Sequence, residues 1–208
     1  MLHPRKNDQG LPVRLLKPSW PTEPATWGDA CALARVVPGG PLPSALNGLA
    51  LAPWRDVPDN APAWEALAST MPVDEPPFDA PKGFKKAAGV VVREPDGRLW
   101  VAAPSNAFGG YQATFPKGGM DGKSARATAL AEAFEETGLQ VRLSGFLVDA
   151  LRSSSYTRYF LAERVGGTPA AMGWESQAVM LVPLALLAQV ASNARDAPVI
   201  AALLGQYQ

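Results

Sequence analysis

Residues 115–139, FPKGGMDGKSARATALAEAFEETGL, constrain this chain more than any other stretch of it. A glycine-rich turn runs into a helix that ends at Gly138 and carries Glu132, Glu135 and Glu136 in its last two turns. Helical positions three and four apart share a face, so these carboxylates crowd one side. Ala127, Leu130 and Phe134 fall on the other, where they can pack into a core. Carboxylates at a helix C-terminus oppose the macrodipole, at roughly 0.3–1 kcal/mol each, and they repel one another. A bound cation is the simplest remedy, and an all-oxygen donor set suits Mg²⁺ or Mn²⁺ better than zinc. A solvated acidic helix end is the bland alternative; the glycine turn ahead of the helix favours the cation.

The segment resembles the signature of the Nudix hydrolases. That signature is a glycine, five residues, a glutamate, seven residues, then Arg-Glu-aliphatic-x-Glu-Glu-x-Gly-aliphatic. Gly118 matches the opening glycine, and Glu132, Ala133, Glu135, Glu136, Gly138 and Leu139 match the second half. The lead-in Phe115 to Lys117 is similar too. The chain departs from the pattern in three places. Its glycine turn is one residue short, Lys123 stands where the first glutamate belongs, and Ala131 replaces the arginine that orients a box carboxylate. Two readings follow: a working variant with substituted support, or a Nudix fold kept for binding.

Composition narrows the classes around this motif. A formal net charge of zero gives no general basic field for nucleic acid and no polybasic membrane patch. No apolar run approaches the roughly 20 residues that span a bilayer, and the N-terminus lacks the apolar core of a secretory signal. Cys31 is the only cysteine, which excludes an internal disulfide and fits a reducing cytoplasm. His3 is the only histidine, at a terminus expected to fray. Acid–base work therefore falls to carboxylates, lysine or metal-bound water.

Most of the 21 prolines, and four of the six tryptophans, lie before residue 82. The pattern predicts an irregular but mostly ordered extension over residues 1–82, packed on a main domain at 83–208 or on a partner subunit. Within it, Leu46 to Leu51 reads as a short strand and Trp64 to Ser69 as a short helix. In the main domain AAGVVV, RLWVAA, YQATF, QVRLSGFLVDAL, YTRYFLAER and SQAVMLVP read as strands, with helical segments from Pro183 onward. Strands interleaved with one long helix and flanked by others make an α/β chain. The resemblance implies a Nudix-like α/β/α sandwich with a mixed sheet, plus the proline-rich extension.

The resemblance also implies Mg²⁺- or Mn²⁺-dependent hydrolysis of a nucleoside diphosphate linked to another moiety, with ADP-ribose or a related ADP-sugar as first guess. Glu132, Glu135 and Glu136 would supply metal ligands, joined by a Gly118 backbone carbonyl. Lys117 would hold phosphate oxygens. The general base is a box glutamate or an acidic residue on a downstream loop, and Glu175 ends the 165–175 loop. Phe108 and Tyr111 are candidates for stacking a base, and Tyr156 lies where related polyphosphate hydrolases carry a tyrosine. Arg158 is a candidate substrate cation. An ordered N-terminal extension is similar to that of ADP-ribose pyrophosphatases, where it helps form the adenosine pocket and often a homodimer. Two alternatives stand beside this reading: a nucleotide-binding sensor domain, and a dinucleoside polyphosphate or diphosphoinositol hydrolase. The last would need Arg152, Arg158 and Arg164 in a basic pocket.

Overall fold

Proline removes backbone donors, and the regular structure of the first eighty residues is accordingly short. In the computed structural model, which describes residues 1–206, that region contributes five strands, a short 3-10 helix at Pro24–Gly28 and one α-helix. The strands are β1 (Leu2–Lys6), β2 (Pro12–Arg14), β3 (Ala34–Val36), β4 (Ala45–Leu46) and β5 (Leu49–Ala50). The helix is α1 (Ala61–Ser69), capped by the Asn60 side chain accepting from the Ala63 N–H. The stretch expected as one strand over Leu46–Leu51 is instead the β4–β5 hairpin. Its turn residues Asn47 and Gly48 both have positive φ, the geometry that a tight hairpin of right-handed twist requires.

The rest of the chain supplies β6 (Lys85–Arg93), β7 (Leu99–Pro104), β8 (Lys117–Gly119), α2 (Ala125–Thr137), β9 (Leu139–Leu151), β10 (Ser155–Gly167), β11 (Ser176–Val182), α3 (Leu187–Val190) and α4 (Ala197–Gly205). The main sheet runs β3-β11-β7-β6-β10-β9, with β8 paired separately to β6. All neighbours are antiparallel except β6 and β10, which makes the sheet mixed. Residues 111–115, expected as a strand, form only an isolated bridge between Thr114 and Ala102.

Two apolar layers cover the sheet. On one face α2 packs with the extension: Trp27 lies 6.0 Å from Trp100, and Trp54 makes edge contacts with Trp64 and with Phe134 of α2. On the other, Leu187, Val199 and Leu203 of the C-terminal helices pack with Phe115 and Tyr159. The result is the expected α/β/α sandwich.

The extension is held by arginines. Proline-rich backbone keeps its carbonyl acceptors, and a guanidinium offers five donors. Arg98 donates to the carbonyls of Thr26, Trp27 and Asp29; Arg164 to that of Leu46; Arg158 to those of Pro76 and Pro77. Each buried cation is neutralised, by Asp96, Glu94, and Asp149 with Glu75 respectively. His3 is not frayed. It is 5% exposed, and its Nε2 sits 3.1 Å from the Ser176 carbonyl.

Candidate active site

Strands β6 and β7 pair only at Val92 with Trp100 and Arg93 with Leu99. Toward its start β6 takes β8 instead, through Ala87, Ala88 and Gly89. A cavity of about 1050 Å³ lies beside this fork, lined by α2, the β8 turn, the Trp174–Ser176 loop and the N-terminal hairpin.

The acidic wall is α2. Ser124 caps its start by accepting from the Ala127 N–H, and Gly138, at φ 70°, ends it. Any larger residue at 138 would strike the Thr168 carbonyl. The helix register brings Glu132, Glu135 and Glu136 into the cavity wall together, as the sequence predicts. Glu136 is 8% exposed, and its Oε2 has no hydrogen-bond partner. Glu132 lies so close to Gly118 that a Cβ there would collide with its carboxylate.

Burial dominates the electrostatics of this wall. It pushes Glu132 up to about 9, aided by the negative charge of Glu136, Glu135 and Glu175 and opposed by Lys123. Glu136 rises to about 7 through burial, with Lys117 the main opposing charge. Glu135 is raised by burial, again against Lys123. Lys123, at the box position of a glutamate, thus places a compensating cation near two carboxylates. Ala131 is 1% exposed within the apolar layer, so the orienting arginine of the signature has no room there.

Lys117 and Arg152 bring positive charge to the same cavity. Successive strand residues face opposite ways, so Gly118 meets Glu132 while Lys117 turns to the other face, beside Gly89. Its Nζ lies 4.8 Å from the centre of the Tyr111 ring, and burial lowers its pKa against the pull of Glu136. Arg152, at the end of β9, stacks 5.3 Å from the same ring and pairs with Asp196 at 2.8 Å. Its Nε has no partner.

Glu175 is carried on a fixed loop. The Ser105 N–H donates to its carbonyl at 2.6 Å, and the Ser105 hydroxyl donates to the Trp174 carbonyl. The Gly173 N–H donates to the Glu135 carbonyl of α2. The extension braces the loop: its Asp8 accepts from the Trp174 indole, and its His3 Nε2 donates to the Ser176 carbonyl. Because a carbonyl only accepts, His3 is assigned its proton on Nε2, and Nδ1 accepts from the Arg5 N–H at 3.0 Å. Burial and the Asp8 charge raise the pKa of Glu175.

Phe108, Tyr111 and Lys117 line the cavity with the glutamates, Phe108 being 82% exposed at its mouth. Arg158 and Tyr156 do not. The Arg158 guanidinium, expected to hold substrate, is 1% exposed and committed to Asp149, Glu75 and the proline carbonyls. Tyr156 stacks on Phe78 at 5.6 Å. Arg164 is likewise buried against Glu94, so of the three arginines only Arg152 reaches the cavity. Asp8 and Trp174 also line it. Their sequence neighbourhood carries no local signal for that role, because it depends on the N-terminal hairpin folding back onto the 174–176 loop.

The donor set fits a hard divalent cation. Among the described residues no three His, Cys, Asp or Glu side chains are gathered tightly enough to hold an ion alone. Mg²⁺, however, keeps several waters and takes only one or two carboxylates together with substrate oxygens. The unpartnered Glu136 Oε2 and the Glu132 carboxylate beside Gly118 suit that demand.

Comparison with known proteins gives the same family as the motif. The family model described as NUDIX domain matches residues 83–203. No curated protein matches the chain. Among solved structures, a C. elegans Ap4A hydrolase is 18% identical, with 58% of this chain and 97% of that one covered at a TM-score of 0.47. An ADP-ribose pyrophosphatase from Streptococcus suis is 18% identical, covering 60% and 92% at 0.48. A UDP-X diphosphatase is 14% identical, covering 69% and 72% at 0.47. The family match spans more than half of the sequence, and the chain belongs to the Nudix hydrolases, which act on nucleoside diphosphate derivatives.

Proposed function

We propose that this chain is a divalent-metal-dependent pyrophosphohydrolase of nucleoside diphosphate-X compounds, with ADP-ribose or a related ADP-sugar as the first substrate to test. The observation that carries the reading is the charge pairing within one cavity: Glu132, Glu135 and Glu136 line it together with Lys117 and Arg152, and Lys117 lies close enough to feel the charge of Glu136 and Glu132. Glu132 and Glu136, with the Gly118 carbonyl, would hold Mg²⁺ or Mn²⁺. Such an ion supplies charge neutralisation at the pyrophosphate and lowers the pKa of bound water. Lys117 binds a phosphate oxygen, its aliphatic stem and charge steadied by Tyr111. Glu175 takes the proton of the attacking water, and its raised pKa makes it a stronger base than an exposed carboxylate. The water oxygen bonds to phosphorus, the P–O–P anhydride breaks, and a nucleoside monophosphate and phosphorylated X leave. Phe108 and Trp174 at the rim offer rings for the base.

The extension joins this reading through Asp8 and Trp174, and residues 1–82 act as a subdomain that completes the pocket of the 83–208 domain. Leu2, Leu16 and Trp20 of the extension are exposed, which suits a homodimer. The free, exposed Cys31 suits a cytoplasmic enzyme. Among the described residues no helix is long and apolar enough to cross a membrane.

The test is hydrolysis of ADP-ribose, NADH, diadenosine polyphosphates and nucleoside triphosphates with Mg²⁺ or Mn²⁺. Release of AMP from ADP-ribose that Glu175→Gln reduces by about 10²-fold or more is the expected result. Tight binding with no turnover of any compound would sink the enzyme in favour of a sensor.

A further inference from the structure

One end of the cavity has cationic and hydroxyl groups that the hydrolytic roles leave unused. Strands β6 and β10 run parallel from this end, with Ser155 opposite Lys85 and Thr157 opposite Ala87. Registered neighbours project from the same face, so Lys85, Ser155 and Thr157 stand together. The Arg152 N–H donates to the Ser155 carbonyl, closing the β9–β10 turn with Ser153 and Ser154 at its tip. The Lys85 N–H donates to the Ser154 carbonyl and fixes that turn against β6. All of these residues line the cavity.

Their polar groups are largely unspent. Lys117 faces Glu136, but the Lys85 ammonium has no carboxylate partner among the described residues. The hydroxyls of Ser155 and Thr157 bond to each other at 3.0 Å, whereas those of Ser153 and Ser154 are in no hydrogen bond among the described residues. Arg152, its side chain 4% exposed, keeps an unpartnered Nε. An ammonium, a guanidinium N–H and hydroxyls gather at this end, where the nearest carboxylate, Asp196, is already spent on Arg152. The hydroxyls would serve a sugar equally well, but the uncompensated ammonium of Lys85 favours an anion, and a phosphoryl group accepts from all of these donors at once.

We infer that this end of the cavity is a second anion subsite, taking a phosphoryl group that the substrate carries beyond its scissile pyrophosphate. The inference rests on the hydrolase reading above for the identity of that substrate. The extra phosphoryl is either a monoester on X or a further link in a longer phosphate chain, and both present the same oxygens to Lys85 and the serine turn.

Two measurements on the full chain decide it. Inorganic phosphate is titrated into the EDTA-treated protein while backbone amide shifts are followed. Shifts at Ser153–Ser155 are expected in the wild type and in Lys6→Met, and are expected to vanish in Lys85→Met. Separately, KM with Mg²⁺ is compared for ADP-ribose, ADP-ribose 1″-phosphate and diadenosine tetraphosphate. One phosphorylated compound should have a KM about ten-fold lower than ADP-ribose at low salt, and Lys85→Met should abolish most of that advantage. Which compound gains tells the monoester from the longer chain. Silent Ser153–Ser155 amides, equal KM values, or an advantage untouched by Lys85→Met would overturn the subsite. Absence of turnover for all three compounds would instead refute the hydrolase reading, and the phosphate titration would still decide the subsite.

Discussion

Glu65 of α1 accepts two hydrogen bonds from Ser124, one from its backbone N–H at 2.5 Å and one from its hydroxyl at 2.8 Å. Ser124 is the N-cap of α2, whose far end bears the three carboxylates. A capping box normally takes its glutamate from the third helical position. Here that position is Ala127, and the glutamate arrives from the extension. Glu65→Ala should therefore loosen α2 from its start, lowering stability by about 1–2 kcal/mol. Chemical denaturation reads the loss, and faster amide exchange at Ala125–Ala127 locates it.

Arg158 and Arg152 make a paired prediction. Arg158 bridges Asp149, Glu75 and two proline carbonyls. Arg158→Met strands those carboxylates near a buried surface and should cost about 3 kcal/mol. The KM of the protein that remains folded should stay at the wild-type value. Arg152→Met strands the fully buried Asp196 and should cost stability too, but it should in addition raise KM, because Arg152 lines the cavity. Denaturation curves confirm that both remain folded, steady-state kinetics separate the two, and a KM rise in Arg158→Met would contradict its structural role.

These two arginines show where the sequence stops being legible. The box helix can be read because its signals are local: a 3.6-residue period, Ser124 at one end, Gly138 at the other. Glu132, Glu135 and Glu136 follow from that period and meet as expected. Nothing local distinguishes Arg152 from Arg158. One follows β9 directly and the other lies within β10, where its partners Glu75, Pro76 and Pro77 are about eighty residues away in sequence. The same distance hides β3 as a member of the main sheet and His3 as a prop beneath Ser176. Ala131 reads as a missing arginine in the signature, yet its burial makes it part of the core. Ala131→Arg should thus destabilise the fold by at least about 2 kcal/mol rather than improve activity, which thermal denaturation would reveal.

Stability of the metal-free protein should fall as pH rises from 5 to 8. Glu136 titrates at about 7 in the folded chain against an ordinary 4.5. Below 4.5 both states hold the proton, and the full stability is present. Between 4.5 and 7 the unfolded chain releases a proton that the folded chain keeps, so each unit costs about 1.4 kcal/mol, or about 3 kcal/mol across the window. Glu132, displaced further in the same direction, extends the decline toward pH 9. Denaturant midpoints in EDTA measure the slope, and Mg²⁺ should flatten it, since a bound cation replaces the protons. A profile that rises from pH 5 to 8 would refute the buried-carboxylate account.

Glu136→Gln joins the metal reading to that electrostatic cost. The amide keeps the shape of the side chain but removes a charge that is 8% exposed and left with an unpartnered oxygen. In EDTA at pH 8 the variant should be more stable than wild type by about 1–3 kcal/mol, because it spares the fold a buried ionised carboxylate, which Glu175 and Glu135 further disfavour. With Mg²⁺ the order should reverse. Wild type gains the binding free energy of the ion, whereas the variant offers a poorer ligand and gains less. Turnover should drop by about 10²-fold or more over the same substitution. A residue kept for packing alone would lose stability in both conditions when altered. Opposite signs with and without the ion are the mark of a carboxylate retained for its metal at the expense of the fold.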